Sequence, residues 1–99
     1  MYVMREVLRC RPGKVGTLLK KFEALNGVLA RLGHPPFRMM TDVAGESFWT
    51  LVLESEAPTM EAFLEMEASV MSDPDARSAM EGYHELVEHG RREVFKLRS

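Results

Sequence analysis

Hydrophobic and polar positions along the chain fall into alternating and helical stretches separated by clear breaks. Tyr2 to Arg11 alternates, with Tyr2, Met4, Leu8 and Cys10 on one side and Val3 and Val7 on the other, as side chains do along a strand. Pro12-Gly13 interrupts it. From Lys14 to Leu32, the residues Val15, Leu18, Leu19, Phe22, Leu25, Leu29 and Leu32 are spaced by threes and fours. That spacing predicts a helix with one buried stripe. Gly33 suits the left-handed position just past a helix, and His34-Pro35-Pro36 bars its continuation. Phe37 to Val43 reads as a second strand, Ala44-Gly45-Glu46 as a tight connection, and Ser47 to Glu54 as a third strand. In this third strand Phe48 and Val52 point one way and Trp49, Leu51 and Leu53 the other, so both faces need cover. Thr59 is a candidate N-cap for a helix carrying Met60, Phe63, Leu64, Val70 and Met71. Asp73, with Pro74 after it, restarts a helix that buries Ala76, Ala79, Met80, Tyr83, Leu86 and Val87 and stops at Gly90. Arg92 to Arg98 alternates again and closes the series as a strand.

The order is therefore β-α-β-β-α(α)-β, a ferredoxin-like α+β arrangement on a four-stranded antiparallel sheet. Its first and third strands are central, and those are the two that are apolar on both faces. Helices can cover only one side of such a sheet. The other side is expected to expose residues drawn from Tyr2, Met4, Leu8, Trp49, Leu51 and Leu53, a patch too large for a typical monomer. A second copy across a two-fold axis would cover it, so a homodimer with sheets face to face is expected.

Composition narrows the picture. A chain of 99 residues, 45% hydrophobic and 28% charged, suits one globular domain spanning residues 1–99. A net charge of -2 argues against nucleic acid, which asks for a basic surface. The start, Met1-Tyr2-Val3-Met4-Arg5-Glu6, lacks the basic and apolar regions of a signal peptide. No apolar run approaches the ~20 residues of a membrane helix. Cys10 stands alone and can form no internal disulfide, so the cytoplasm is the expected location.

Three stretches carry a wider resemblance: the opening strand running into Arg11-Pro12-Gly13-Lys14-Val15, the segment Glu46-Ser47-Phe48-Trp49, and the ending Leu86-Val87-Glu88-x-Gly90-Arg91-Arg92-Glu93-Val94. With them the chain resembles the dimeric α+β barrel superfamily, in particular its NIPSNAP-like branch. The resemblance implies the fold and the dimer. The superfamily includes cofactor-free monooxygenases, haem-degrading enzymes, isomerases and proteins without assigned activity, so it implies no single reaction and carries over no catalytic residue.

The candidate chemistry is sparse. His84-Glu85-Leu86-Val87-Glu88-His89 fails both helical zinc signatures, although His84 and Glu88 would share a face on a helix. His34 lies in a Pro-flanked loop, and neither it nor His84 is placed to serve as a haem ligand. No metal or cofactor is expected. Cys10 reads as a small buried hydrophobe and Lys14 has no Gly-rich phosphate loop around it. More informative are polar residues on otherwise apolar strands, since a buried charge must be paired or wet. They point to a ligand cavity lined by Glu6, Arg38, Asp42, Trp49 and Tyr83. Against this stands the plainer reading of structural ion pairs and rim charges, with Trp49 in the core or the dimer interface. The expected function is binding of a small apolar or aromatic ligand beside the sheet. The alternatives are a metal-free enzyme of monooxygenase or isomerase type and a non-catalytic interaction module. A bound molecule in the cavity would separate the first two from the third.

Overall fold

The computed structural model describes residues 1–99. Its strands are β1 (Tyr2–Cys10), β2 (Arg38–Thr41), β3 (Thr50–Ala57) and β4 (Val87–Lys96), and its helices are α1 (Val15–Arg31), α2 (Met60–Met71) and α3 (Pro74–Ala79). A 3-10 turn, Tyr83–Glu85, precedes β4. The four strands form one sheet in the order β2-β3-β1-β4, with every neighbouring pair antiparallel. This is the ferredoxin-like α+β fold, with β1 and β3 central as their two-sided apolar pattern requires.

The helix ends follow local chemistry. Gly33 takes φ +83°, its N–H bonds to the Ala30 carbonyl at 3.1 Å, and the His34 N–H bonds to the Leu29 carbonyl at 2.8 Å. That pair of bonds is a Schellman cap and satisfies carbonyls the helix leaves orphaned. Thr59 Oγ1 accepts from the Ala62 N–H at 3.0 Å and caps α2. Asp73 Oδ1 accepts from Asp75 and Ala76 N–H groups and caps α3, with Pro74 in its first position.

The helices lie on the face of the sheet that carries Met4, Leu8, Cys10, Leu51 and Leu53. Leu18, Leu29, Leu51 and Cys10 are wholly buried there, and Phe22, Leu25, Val28, Val70 and Ala76 join them in the core. Burying a Leu or Phe side chain in this way stabilises the fold by about 1.5–3 kcal/mol. The expectation that Met4, Leu8, Leu51 and Leu53 would form the uncovered face is thus overturned. The helices chose the more apolar face, because the opposite one carries Arg5, Arg9 and Glu54, whose charges helix packing would desolvate.

The uncovered face presents Val3, Arg5, Val7, Met40, Val52, Glu54 and Phe95, placed there by the registers Arg5↔Glu54, Val7↔Val52, Met40↔Val52 and Val3↔Phe95. Arg5 donates to Glu54 at 3.0 Å, Arg38 donates to the other oxygen of the same carboxylate, and the Arg5 guanidinium lies 5.6 Å from the Phe95 ring centre. Hydrogen bonding to Arg5, with Arg38 adding to it, holds the Glu54 carboxyl below its usual range against the opposing effect of burial.

Two further expectations change. The connection between β2 and β3 is longer than Ala44-Gly45-Glu46, and Phe48 and Trp49 lie in it rather than in the third strand. Trp49 takes φ +61°, which breaks the extended run, and Asp42 Oδ1 closes the loop by accepting from the Thr50 N–H at 2.7 Å. The last helix also ends early. Gly82 at φ +79° turns the chain out of helix, so Val87 opens β4 instead of closing α3. Gly90 does not terminate a helix. It lies in β4 opposite Leu8, whose Cδ2 would approach a Cβ there to 2.7 Å. His84 and Glu88 consequently share no helix.

Candidate functional site

Between the helices and the covered face of the sheet lies a cavity of about 500 Å³. Met4, Glu6, Leu8, Leu53, Ser55 and Arg92 form its floor on β1, β3 and β4. Phe22 and Leu25 of α1 and Phe63, Met66, Glu67 and Val70 of α2 form its roof. Ala76, Arg77, Met80 and Tyr83 line it from α3 and the turn that follows, and Phe37 from the entry to β2. Alternation along the strands explains the floor, since Met4, Glu6 and Leu8 share one face and pair with Ser55, Leu53 and Leu51.

One wall is charged. Arg92 donates through Nε to Glu6 Oε1 and through Nη2 to Glu67 Oε2 at 2.6 Å, with Nη1 3.5 Å from Glu67 Oε1. Its guanidinium lies 5.3 Å from the centre of the Phe63 ring, within cation–π range. Hydrogen bonding to Glu67, reinforced by Glu6, raises the Arg92 pKa above its already high ordinary value. The triad thus joins β1, β4 and α2 across one side of an otherwise apolar space.

Of the residues singled out from the sequence, Glu6 and Tyr83 line this cavity and Arg38, Asp42 and Trp49 do not. Arg38 pairs with Glu54 on the opposite face of the sheet. Asp42 holds the Thr50 amide and borders a separate notch of about 230 Å³ with Arg9, His89 and Arg91. Trp49 is half exposed in the loop, where its carbonyl accepts from the Cys10 N–H at 2.8 Å. The reading from sequence missed Arg92 and Glu67. The signal for Arg92 was its place opposite Glu6 on a neighbouring strand, which only the register reveals. Burial raises the Cys10 thiol pKa, in keeping with a packed, unreactive side chain. No three His, Cys, Asp or Glu side chains converge to hold a metal, and no helix is long and apolar enough to cross a membrane.

The fold and cavity define a ferredoxin-like α+β protein with a helix–sheet pocket. Solved structures of that class match the chain over nearly its full length. A NIPSNAP family protein of unknown function from Agrobacterium tumefaciens, Atu4242, is 20% identical with a TM-score of 0.81, covering 98% of this chain and 87% of that one. An uncharacterised NIPSNAP domain protein from Burkholderia xenovorans is 16% identical with a TM-score of 0.82, covering 100% and 96%. A dimeric protein of unknown function and ferredoxin-like fold from Bacteroides fragilis is 14% identical with a TM-score of 0.67, covering 97% and 96%. No protein-family model matches the chain, and no curated protein does. At these identities the likeness establishes the fold, and ligand and reaction do not follow from it.

Proposed function

We propose that the chain acts as a single-domain cytoplasmic homodimer that holds a small apolar or aromatic molecule in the helix–sheet cavity. The observation that carries the reading is the cavity itself. Its ~500 Å³ is the size of small-molecule sites, and its lining is mostly apolar with a few polar groups gathered on one wall. Glu6 and Tyr83 are its proposed polar and aromatic contacts, and Arg92 and Glu67 join them. The buried, unpaired Cys10 supports a reducing compartment.

The dimer places the uncovered sheet faces of two copies together. Met40 and Phe95 stand 44% and 48% exposed on that face among half-buried Val3, Val7 and Val52, and the Arg5–Glu54–Arg38 cluster supplies polar groups for a register. The dimeric fold relative from Bacteroides fragilis supports the same reading. In this dimer Arg38 is an interface residue. Asp42 and Trp49 are placed near the interface by their loop, outside the cavity.

Native mass spectrometry beside denatured mass tests both parts. A dimer carrying mass that denaturation releases is the expected result. A dimer that takes up no apolar ligand from a mixed small-molecule library would overturn the cavity reading. A monomer would overturn the assembly.

A further inference from the structure

We infer that the cavity favours a cationic amphiphile, an amine on an apolar body, and rejects a carboxylate of the same shape. The inference rests on the cavity reading above and names the class of molecule that the charged wall would accept. Arg92 is already committed to two carboxylates, through Nε to Glu6 and through Nη1 and Nη2 to Glu67. Two carboxylates on one guanidinium leave a net charge of one negative unit on that wall. Glu67 uses both oxygens on Arg92, whereas Glu6 uses only Oε1. Glu6 Oε2 therefore remains as an acceptor that no protein group meets.

The setting magnifies this charge. Glu6 stands between Met4 and Leu8 on the covered face of β1, opposite Leu53 of β3, and its side chain is only 26% exposed. Beside apolar walls and about one-quarter exposed, Glu6 is screened less than a carboxylate standing free in water, and added salt weakens its field. The fourth charged lining residue, Arg77, is an exposed residue of the short helix α3 and takes part in no salt bridge. Water and salt screen an exposed guanidinium of this kind, and it offsets little of the field at Glu6. An ammonium group can donate to Glu6 Oε2 while its apolar body fills the space over Met4, Leu53 and Phe63. A carboxylate placed there meets the like charge of Glu6 Oε2.

The test displaces the neutral dye Nile red with dodecylamine, dodecanol and dodecanoate at neutral pH, each below its micelle concentration. Dodecylamine is expected to bind about tenfold tighter than dodecanol, with dodecanoate weakest, the size of one charge-assisted hydrogen bond. Glu6→Gln keeps the length and an acceptor but removes the charge. It is expected to lower amine binding to the alcohol's level, and dodecanol that still displaces the dye shows that the cavity persists. Should that variant fail to fold, the wild-type amine preference must still shrink in molar salt. Dodecanoate binding as tightly as the amine, or a preference that survives Glu6→Gln or high salt, overturns the inference and leaves the cavity reading standing. Failure of all three compounds to displace the dye sinks both.

Discussion

Arg92 of β4 donates to Glu67 of α2 at 2.6 Å, and this pair ties the outermost strand to the helix across one side of the cavity. The two side chains are 42% and 31% exposed, so solvent screens the pair and its worth to global stability is at most about 1 kcal/mol. Its local effect is larger, because α2 has few other ties to β4. Glu67→Ala is expected to leave the denaturation midpoint almost unchanged while hydrogen exchange across Met60–Met71 quickens. Unaltered exchange in that helix would show that packing of Phe63 and Val70 alone holds it in place.

The proposed dimer makes a sharp prediction on the uncovered sheet face. Phe95→Glu together with Met40→Glu places charge where each copy would meet the other. Light scattering is expected to give half the wild-type mass, with the helical circular dichroism signal retained, because neither side chain enters the core. A double variant that keeps the dimer mass would move the interface elsewhere.

Much of the fold was legible because short-range chemistry dictated it. Gly33, Thr59, Asp73 and Pro74 mark helix ends through bonds within a few residues. Apolar character on both faces located β1 and β3 at the sheet centre. What failed was long-range or competitive. Which face the helices take depends on comparing two apolar faces, and Arg5 and Glu54 decided it by pairing on the one left open. Gly82 was visible but outweighed by helical spacing on either side of it. Asn26 exchanges two hydrogen bonds with Phe37, at 2.9 and 3.1 Å, and pins the entry of β2 to α1 without any mark in the spacing. The charged wall shows the same limit, since Glu6 was legible as a polar residue among apolar ones whereas Arg92 became a partner only through β-register.

Glu54 gives the uncovered face a pH dependence. Its folded carboxyl is held below the ordinary value of 4.5, chiefly by the Arg5 hydrogen bond. A depressed folded value means its contribution is fully present above the ordinary carboxylate range and is lost as pH falls through the lower, folded value. Urea denaturation of wild type and Glu54→Gln should therefore differ most near neutrality and converge below pH 4.5. Asp73, lowered by its Arg31 hydrogen bond, shifts in the same direction but is present in both proteins and cancels in the comparison. A gap that stays constant through acid would mean Arg5 and Arg38 do not act on the ionised form.

Ser55 offers a way to close the cavity without touching its charged wall. It lies in β3 opposite Met4, is half buried, and faces the cavity on the same side of the sheet as Leu53 and Ala57. Replacing its hydroxyl with a branched aliphatic group should fill space that ligand would otherwise occupy. Filling a cavity commonly adds about 0.5–2 kcal/mol. In a domain of this size each 1 kcal/mol is worth roughly 4–8 °C in midpoint. Ser55→Leu is therefore expected to raise the thermal midpoint by several degrees and to weaken Nile red binding about tenfold or more, since steric exclusion removes apolar contact area. The two readouts must move in opposite directions. A lower midpoint with weaker binding would mean the leucine overpacks a space already filled by Met4 and Phe63. A higher midpoint with unchanged binding would place the dye outside the cavity.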